Sequence, residues 1–515
     1  MEMISLVLGL SLLFFLLPLY AFRRSRHRHP GSYPPPSPLA LPLLGHLHLL
    51  IKKPLHRSLA GLSAVHGPIL SLRFGSRPVL HVASASAAED CLSKNDAAFG
   101  NRPRFLAGKH LGYDYTTLVW APYGPHWRNL RRIAAVEFFS PSRLNSFSSL
   151  MNQEAAAMVK AVDEAASGAA GVVELRPRLF DLSLNLILKM VAGKRPTGRS
   201  EELREIIRES FEVSGATNLA DFIPALRLFD YKGLERRLIR LQGKRDDFLQ
   251  ELVDDRRREI GLPENIMIEG VGGELNGGRR CVIDELLSLQ RRDPAQYTDE
   301  LIKGLVVVLL SAGTDTSALT AEWALAMLLR NPASLAKVRA EIDRHVGSDR
   351  RMNESDLENL PYLRSVIKET LRLHPVAALI PAHESAADCS VGGFHVPKGV
   401  ILLVNAWAIH RDPALWAAPE SFRPERWEEE EEEGMRRKQG SVLFFGMGRR
   451  KCPGEGMALR VVGLALGLLV QCFEWDVDAF GGEVDLTEGT GLSMPMATSL
   501  KAACRRRQVM LNGIR

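Results

Sequence analysis

The stretch that most constrains this chain is 444–454, which reads Phe-Phe-Gly-Met-Gly-Arg-Arg-Lys-Cys-Pro-Gly. It is a basic loop whose glycines have backbone freedom that residues with a Cβ lack, and it brings Cys452 to the start of an apolar, helix-like segment. Pro453 suits the first position of that helix. Unpaired N–H groups at the helix start, together with the preceding Arg and Lys, favour a thiolate over a thiol. We therefore expect Cys452 to offer a soft ligand for iron.

The loop also has a characteristic spacing of five residues: Phe445, Gly448, Arg450, Cys452 and Gly454. The pattern resembles the haem-binding signature of the cytochrome P-450 superfamily, the haem-thiolate monooxygenases; the alternative is a buried structural cysteine. The resemblance implies a mainly α fold with a small β-sheet region, in which haem b lies between a long central helix and the cysteine loop. Cys452 would be the axial iron ligand and O2 the co-substrate, with Phe445, Gly448 and Arg450 also binding the haem.

The size of the chain indicates one large domain. It has 515 residues, and its 46% hydrophobic and 24% charged composition is that of an ordinary globular protein. Because no long flexible linker divides it, we expect a single catalytic domain, 46–515, organised around a buried cofactor. Neither a dinucleotide-binding fingerprint nor a phosphate-binding loop is evident. Electrons must then come from another protein, which the resemblance implies is NADPH-cytochrome P-450 reductase.

Charge and cysteine usage exclude other classes. The net charge is +6, but much of the basic excess lies in 23–29, and no basic face interleaved with aromatics marks a nucleic-acid binder. The cysteines are scattered without a CxxC pair, which argues against a zinc site and a disulfide scaffold: Cys91, Cys281, Cys389, Cys452, Cys472 and Cys504. A reducing compartment is the simplest fit.

Residues 3–22 form an apolar run without a charged side chain, long enough as a helix to cross a hydrocarbon core. A cleaved secretory signal, the alternative, has positive charge before its apolar stretch, whereas here Glu2 precedes the run and arginines follow it. We therefore predict a transmembrane helix in 1–22, with the rest of the chain in the cytosol, and a basic, proline-rich hinge at 23–45. Microsomal cytochromes P-450 have a similar hinge, which implies a single-pass protein of the endoplasmic reticulum membrane.

One long helix is predicted from Asp299 to Arg330, apolar on nearly every face and ending before a proline. Its middle, 312–317, reads Ala-Gly-Thr-Asp-Thr-Ser, and such polar groups are costly to bury unless they have a role. A polar notch that tolerates a kink is the alternative. The segment resembles the family's (Ala/Gly)-Gly-x-(Asp/Glu)-Thr motif on the distal side of the haem. The resemblance implies haem contact by Ala312 and Gly313, dioxygen binding by Thr316 and proton relay by Asp315.

A second helix is predicted from Asp356 to His374, with Glu369 and Arg372 on one face. Together with Arg426 in a later Pro-Glu-Arg sequence, these residues resemble the family's Glu-Arg-Arg triad. The resemblance implies an architectural role, in which the triad holds the segment behind the cysteine loop.

Haem propionates need cations or N–H donors. Trp127 and Arg131 are one turn apart on a predicted helix, so the indole N–H and the guanidinium share a face. The family uses this Trp-x-x-x-Arg pair on a propionate, which implies the same role here. Arg450 is a second candidate and His383 a third.

Family substrate-contact regions correspond to four apolar stretches of this chain: 99–118, 211–222, 376–380 and 492–496. Their composition indicates a small apolar, aromatic ligand. By resemblance, five residues shape the pocket: Leu305, Val308, Ala312, Ala377 and Leu492. The chain most resembles the plant microsomal group that hydroxylates isoflavones, indole glucosinolates and herbicides. Phe444 stands where plant members commonly have proline, and we expect a slightly looser loop there with no ligand lost.

Three other segments have simple interpretations. The runs 69–74 and 79–82 are predicted strands of a small sheet. The stretch 261–280, rich in Gly, Asn and Glu, is predicted to be a surface loop. The acidic run 428–433 is predicted to be a solvated insertion rather than a docking site.

The leading prediction is that the protein inserts one oxygen atom of O2 into its substrate, hydroxylating it or dealkylating it oxidatively. Two alternatives stay open: a haem-thiolate isomerase or dehydratase, against which Thr316 and Asp315 count, and a membrane-tethered haem sensor or carrier, in which a proton relay would be superfluous. Four basic residues are predicted to dock an acidic reductase on the proximal face: Arg128, Arg132, Arg449 and Lys451.

Overall fold

A computed structural model of the chain describes residues 34–51, 54–168, 171–194, 199–215, 218–261, 280–432, 440–476 and 483–512. The predicted membrane anchor lies outside these residues, as do part of the predicted hinge and almost all of the predicted loop 261–280. The acidic run begins inside a short helix, Arg426–Glu432.

Helices dominate the described part of the chain, as the apolar periodicity predicts. In chain order the α-helices are α1 His48–Ile51, α2 Leu55–His66, α3 Ala85–Glu89, α4 Leu106–His110, α5 Pro125–Ile133, α6 Pro141–Ser146, α7 Ser148–Ala166, α8 Leu175–Ala192, α9 Ser200–Gly215, α10 Leu234–Glu259, α11 Val282–Arg292, α12 Asp299–Arg330, α13 Pro332–His345, α14 Pro361–Leu373, α15 Ala406–Ile409, α16 Arg426–Glu432, α17 Glu455–Cys472 and α18 Gln508–Asn512. Tighter or wider turns lie at Asp90–Lys94, Ala134–Phe138, Leu219–Asp221, Pro224–Phe229, Tyr231–Gly233, Glu354–Asn359 and Gly448–Arg450.

The strands form two small sheets and a hairpin: β1 Ile69–Phe74, β2 Arg77–Val82, β3 Val172–Glu174, β4 His383–Glu384, β5 Cys389–Val391, β6 Phe394–Val396, β7 Ile401–Val404, β8 Phe473–Asp476 and β9 Lys501–Arg506. The larger sheet has the order β1-β2-β7-β4, in which only β2 and β7 are parallel. The second sheet has the order β3-β9-β8, and β5 pairs with β6. The predicted strands at 69–74 and 79–82 are confirmed as β1 and most of β2.

Helix α12 has the predicted bounds, Asp299 to Arg330. The Thr298 hydroxyl accepts a hydrogen bond from the Leu301 N–H and caps the N-terminus. The helix packs along α8 so closely that a Cβ on Gly313 would lie 3.0 Å from Ile187 Cδ1. The lack of a side chain at Gly313 therefore allows the close contact between α8 and α12, in addition to the haem contact that the resemblance implies.

The predicted helix from Asp356 to His374 is wrong in its first part. The structure has a 3₁₀ turn at Glu354–Asn359 and a separate helix, α14, from Pro361 to Leu373. Proline lacks an N–H and disfavours a helical residue before it, and Leu360 has a non-helical φ of −120°. Pro361 therefore starts a new helix instead of continuing one.

Among the described helices, α12 and α17 have the length of a membrane span, with mean hydropathies of 1.4 and 1.5. In α12 61% of the apolar span is buried inside the protein, and in α17 72%. Both helices therefore belong to the core, where their buried side chains lie in one hydrophobic cluster.

Candidate active site

A cavity of about 350 Å³ lies between the middle of α12 and the cysteine loop. Most of the predicted site residues line it: Cys452, Arg450, Phe445, Trp127, Arg131, His383, Ala312, Gly313 and Thr316. Two predicted site residues, Asp315 and Gly448, are not among the described residues that line it. The rest of its wall is mainly apolar and comes from α8, α12, α14 and α17, from the 134–138 turn and from the segments 118–119 and 376–381.

The cysteine loop closes on itself, because the Cys452 N–H donates to the Phe445 carbonyl oxygen at 2.8 Å. Gly446 and Gly448 have positive φ values of 72° and 67°. A Cβ on Gly448 would overlap the Leu92 carbonyl oxygen, so the loop is pressed against the 90–94 turn. Gly448 therefore shapes the loop, and its predicted contact with the haem stays a prediction.

The start of α17 corrects one expectation and bears on the ionisation of Cys452. The helix begins at Glu455 with Gly454 as its N-cap, so Pro453 is not the first helical residue. Burial raises the pKa of the Cys452 thiol, and the Gly454 N–H and Arg131 lower it only in part. The Arg131 guanidinium and the Gly454 N–H therefore favour the thiolate, as predicted, while burial opposes it. A metal cation bound to the sulfur would further favour the thiolate over the thiol.

Phe444 is firmly packed. Its ring lies edge-on to His410, with ring centroids 5.2 Å apart, and edge-on to Trp427 at 5.7 Å. These contacts oppose the loosening that we expected from the loss of the family's proline.

Three arginines line one end of the cavity: Arg102, Arg131 and Arg450. Arg450 Nε donates to the Gly100 carbonyl oxygen at 2.9 Å, and Arg102 donates to the Ala382 carbonyl oxygen at 2.8 Å. None of the three pairs with a carboxylate in the described part of the chain. Burial and the other two arginines lower the pKa of Arg450 to about 9, and burial lowers that of Arg102 to about 10. The cluster needs an anionic partner, and the two propionates of haem fit it.

Two predicted propionate partners, Trp127 and His383, form hydrogen bonds with backbone carbonyl groups instead. The Trp127 N–H donates to the Leu118 carbonyl oxygen at 3.1 Å, so it braces the cavity wall. Burial lowers the pKa of His383 well below its usual range, and its Nδ1–H donates to the Phe99 carbonyl oxygen at 2.7 Å. His383 is therefore neutral and brings no charge. Arg102, which the sequence analysis missed, supplies a cation; no motif or spacing in the sequence distinguishes it from the nearby Arg104 and Lys109.

The polar face of α12 is divided between two environments. Thr316 lines the cavity, and its hydroxyl donates to the Ala312 carbonyl oxygen at 2.6 Å. Asp315 points away from the cavity and accepts a hydrogen bond of 2.5 Å from the Ser493 hydroxyl. Burial raises the pKa of Asp315 above its ordinary value. A hydroxyl inside the cavity is therefore backed by a carboxyl that holds a proton more readily than usual.

The family model for cytochrome P450 matches residues 34–500. The chain belongs to the cytochrome P450 family. It is 48% identical to cytochrome P450 81Q32 of Catharanthus roseus, with 92% of each chain covered. It is 43% identical to isoflavone 2'-hydroxylase of Glycyrrhiza echinata, again with 92% of each chain covered. It is 43% identical to (+)-piperitol/(+)-sesamin synthase of Sesamum radiatum, covering 93% of this chain and 91% of that one.

A solved structure of zebra fish cytochrome P450 with abiraterone has the same fold. Its TM-score is 0.73 at 25% identity, and the match covers 88% of this chain and all of that one. The cofactor prediction is confirmed: a cytochrome P450 contains haem with a thiolate-bound iron and uses O2. The protein is accordingly a haem monooxygenase.

The predicted triad of this cytochrome P450 is assembled. Glu369 accepts hydrogen bonds from Arg372 at 2.8 and 2.9 Å and from Arg426 at 3.0 Å, and all three residues are buried. Arg372 also donates to the His410 carbonyl oxygen at 2.8 Å. The Leu443 N–H in turn donates to His410 Nε2 at 3.0 Å. His410, which the sequence analysis missed, thus connects the triad to the cysteine loop.

The predicted substrate regions of the cytochrome P450 do not all line the main cavity: Phe105, Val213 and Phe222 line a separate cavity of about 150 Å³. Leu305, Val308, Ala312 and Ala377 line the main cavity as predicted. Leu492 does not: it is 49% exposed and lines a neighbouring cleft of about 220 Å³, which corrects its predicted role. The main cavity and this cleft share part of one wall: Val376, Ile380 and Pro381. The stretch 211–222 contributes Ser214 to that cleft and no residue to the main cavity among those described.

Proposed function

We propose that this cytochrome P450 is a single-pass protein of the endoplasmic reticulum membrane with a cytosolic catalytic domain. It hydroxylates, or oxidatively dealkylates, a small apolar aromatic compound such as a plant specialised metabolite or herbicide. Its electrons come from NADPH-cytochrome P450 reductase. The observation that carries this proposal is the pairing, across one apolar cavity, of the Cys452 thiol with the Thr316 hydroxyl.

Bound haem supplies the activation of O2, of which one oxygen atom enters the substrate and the other leaves as water. The residues of the chain supply position and protons. Cys452 would hold the metal, and the cluster of Arg102, Arg131 and Arg450 would hold the propionates. Thr316 would turn its hydroxyl from the Ala312 carbonyl toward the dioxygen and donate a proton there. Asp315 would replace that proton from solvent, since its raised pKa lets it hold one closer to neutral pH.

The shape and chemistry of the cavity support an apolar aromatic substrate. Leu305, Val308, Leu309 and Ile380 form an apolar wall without an acidic side chain among the described lining residues. Such a wall binds by burial of apolar area rather than by charge. Relatives named isoflavone hydroxylase and (+)-sesamin synthase support the same class.

The test is a substrate screen in yeast microsomes that contain the full chain and a plant reductase. Isoflavones, lignans, indoles and herbicides are supplied one at a time, and products are identified by mass spectrometry. We expect a product heavier by one oxygen atom, or a dealkylated one, that requires NADPH, reductase and O2 together. A product formed without NADPH or O2 would refute the proposal in favour of the isomerase or dehydratase.

Two threonines of α12 provide a matched pair for this test. Thr316→Ala removes the hydroxyl that lines the cavity. Thr314→Ala removes a fully buried hydroxyl that donates to the Leu310 carbonyl oxygen at 2.6 Å and does not face the cavity. We expect Thr316→Ala to keep its haem while diverting O2 to peroxide, and Thr314→Ala to stay coupled. Equal coupling in both variants would contradict the role of Thr316.

Exposed apolar side chains support contact with a membrane beside the predicted anchor. Leu39, Leu43, Leu228 and Phe229 are 93%, 72%, 82% and 81% exposed. Their two segments meet at the 75–76 turn, where the Gly75 N–H donates to the Leu44 carbonyl and the Ser76 N–H to the Phe222 carbonyl. Removal of residues 1–33 should release the protein from carbonate-washed microsomes. Retention of the truncated protein at full level would refute the anchor.

Of the four basic residues expected to dock the reductase, two form ion pairs within the described part of the protein and two do not. Arg449 forms an ion pair with Asp96 at 2.8 Å, and Lys451 forms one with Glu455 at 2.5 Å. Arg128 and Arg132 remain exposed on α5. The double variant Arg128→Glu/Arg132→Glu should slow reduction by NADPH and reductase with haem content unchanged, and the loss should grow as salt is lowered.

The control for docking is Lys160→Glu on α7, which reverses the charge of a side chain that is 77% exposed. It changes the net charge by the same amount per site and lies outside α5. A reduction rate that falls equally in the control would attribute the effect to overall charge and refute a specific docking face.

A further inference from the structure

A hairpin of residues 487–497 contacts α12 through hydrogen bonds to Asp315 and Trp323. Its two arms are joined by hydrogen bonds from the Ala497 N–H to the Thr487 carbonyl and from the Gly489 N–H to the Pro495 carbonyl, both 2.8 Å long. The residues between these arms approach α12 at Asp315, beside the residues that line the main cavity. We call residues 487–497 the C-terminal hairpin.

The base of the C-terminal hairpin is fixed by one buried carboxylate. Glu488 accepts hydrogen bonds from Arg57 Nε at 2.7 Å and from Trp407 Nε1 at 3.1 Å, and it lies 3.0 Å from His56 Nε2. Its side chain is only 2% exposed. Breaking a buried contact of this kind is costly, so the base holds its position on α2 and α15.

The tip of the C-terminal hairpin is fixed on α12 itself. Trp323 Nε1 donates to the Met494 carbonyl oxygen at 2.9 Å, and the Met494 N–H donates to the Val376 carbonyl oxygen at the same distance. Ser493, the residue before Met494, is 8% exposed and donates its hydroxyl hydrogen to Asp315. Because both flanks are anchored, the Ser493 hydroxyl has a defined place beside the carboxylate.

The charged neighbour of Asp315, Arg176, forms its hydrogen bonds with other residues. Arg176 of α8 donates through Nε to Glu322 at 2.7 Å and through Nη2 to the Met496 carbonyl at 2.9 Å. Its positive charge reaches Asp315 only at longer range. Ser493 is thus the direct hydrogen-bond donor to Asp315 among the described residues, and Asp315 faces Ser493 from the hairpin and Arg176 from α8.

We propose that Ser493 is a positioning residue for Asp315: its hydroxyl holds the carboxylate on the hairpin side of α12, and the proton delivered toward Thr316 passes only when that hydrogen bond is released. The inference rests on the proposed role of Asp315 in proton delivery. It assigns to the C-terminal hairpin control over when the cavity receives protons, although the hairpin lies outside that cavity. No new bond or redox step is involved; one proton moves from solvent to the Asp315 carboxylate and then to the Thr316 side.

The direction of the effect follows from the chemistry of the bond. A hydroxyl that donates to a carboxylate favours its ionised form, so Ser493 lowers the pKa of Asp315 against the effect of burial. Ser493→Ala removes that donor and leaves burial unopposed except by Arg176. A charge-assisted hydrogen bond of ordinary strength corresponds to an upward shift of about 1 to 2 pH units.

The primary measurement needs no substrate. Infrared difference titration of the ferric holoenzyme, with Asp315→Asn as the reference that lacks the carboxyl band, gives the pH at which Asp315 ionises. We expect that pH to rise by about 1 to 2 units in Ser493→Ala and to stay unchanged in Ser493→Thr, which keeps the hydroxyl. An unchanged titration in Ser493→Ala would overturn the proposal.

A second measurement ties the bond to turnover. The fraction of consumed O2 that is recovered as peroxide is measured with reductase and NADPH, without added substrate, for Ser493→Ala, Asp315→Asn and the double variant. If Ser493 acts through Asp315, Ser493→Ala changes the fraction in the parent and adds nothing in the Asp315→Asn background. Equal effects in both backgrounds would identify a merely structural role and refute the inference.

The same experiment separates this inference from the proposed function. If Asp315→Asn alone leaves the peroxide fraction unchanged, the relay itself fails. If Asp315→Asn changes the fraction and Ser493→Ala acts equally with and without it, only the positioning role fails. Ser210→Ala is the control for loss of a buried serine, because that hydroxyl donates only within its own helix, to the Ile206 carbonyl at 2.7 Å.

Discussion

Alanine at Gly448 is expected to damage the protein far more than alanine at Gly446, two residues away. Both glycines have positive φ, a conformation that costs a residue with a Cβ about 1–2 kcal/mol. At Gly446 the new methyl group would meet no atom of the described residues within 4 Å, so this strain is the expected cost. At Gly448 it would overlap the Leu92 carbonyl oxygen, and overpacking adds about 1–3 kcal/mol. The expected loss of stability for Gly448→Ala is therefore about 2–5 kcal/mol.

The loop can relieve that overlap only by moving away from the 90–94 turn, and it carries Cys452. We therefore expect Gly448→Ala to lose haem and the carbon monoxide difference spectrum of a thiolate-bound iron, while Gly446→Ala keeps both with a slightly lower unfolding temperature. Haem content per chain, the reduced carbon monoxide spectrum and thermal unfolding are measured on both variants in parallel. Equal behaviour of the two variants would refute the steric argument, since it would leave only the shared cost of positive φ.

Three other predictions follow from buried charge. Glu369→Gln leaves two buried guanidinium groups without their carboxylate, which is expected to cost about 3–5 kcal/mol and to lower the unfolding temperature of the holoenzyme. Arg102→Gln is expected to weaken haem retention by about 10- to 100-fold, measured as transfer of haem to apomyoglobin; unchanged transfer would exclude Arg102 from the cluster. Burial lowers the pKa of His81 to about 4 and those of His374 and His410 to about 3. Each histidine binds a proton only on unfolding. The free energy of unfolding therefore decreases as the pH is lowered below about 6.5, by up to about 1.4 kcal/mol per pH unit for each histidine. His81→Phe should reduce that slope by one proton between about pH 6.5 and 5; an unchanged slope would show that His81 is already charged in the fold.

Features set by neighbouring residues were predictable from the sequence. Both ends of α12 follow from a threonine cap and a proline beyond the last turn, which are local signals. The spacing around Cys452 predicted the family, and the Glu369 triad follows from motifs that the resemblance supplies. The predicted start of α17 is misplaced by only two residues, from Pro453 to Glu455, because a proline suits both a helix start and the turn before it.

Features set by distant residues were not predictable in the same way. Ser493 meets Asp315 across 178 positions of the chain, and Arg102 meets the Ala382 carbonyl across 280. No periodicity or spacing encodes such pairs, since they depend on how helices and loops pack in three dimensions. The pKa of the Cys452 thiol shows the same limit: the charges that lower it can be read from the sequence, whereas the burial that raises it depends on packing.

The arginine cluster also affects the stability of the newly synthesised chain before haem binds. Three guanidinium groups that lie close together without an acidic partner among the described residues repel one another, and the propionates that would relieve this repulsion arrive with the haem. Anything that binds only the native state stabilises it by mass action, so synthesis in a porphyrin-starved cell would yield a fold prone to chaperone capture and proteolysis. Abundance of the enzyme would then follow tetrapyrrole supply as closely as it follows transcription.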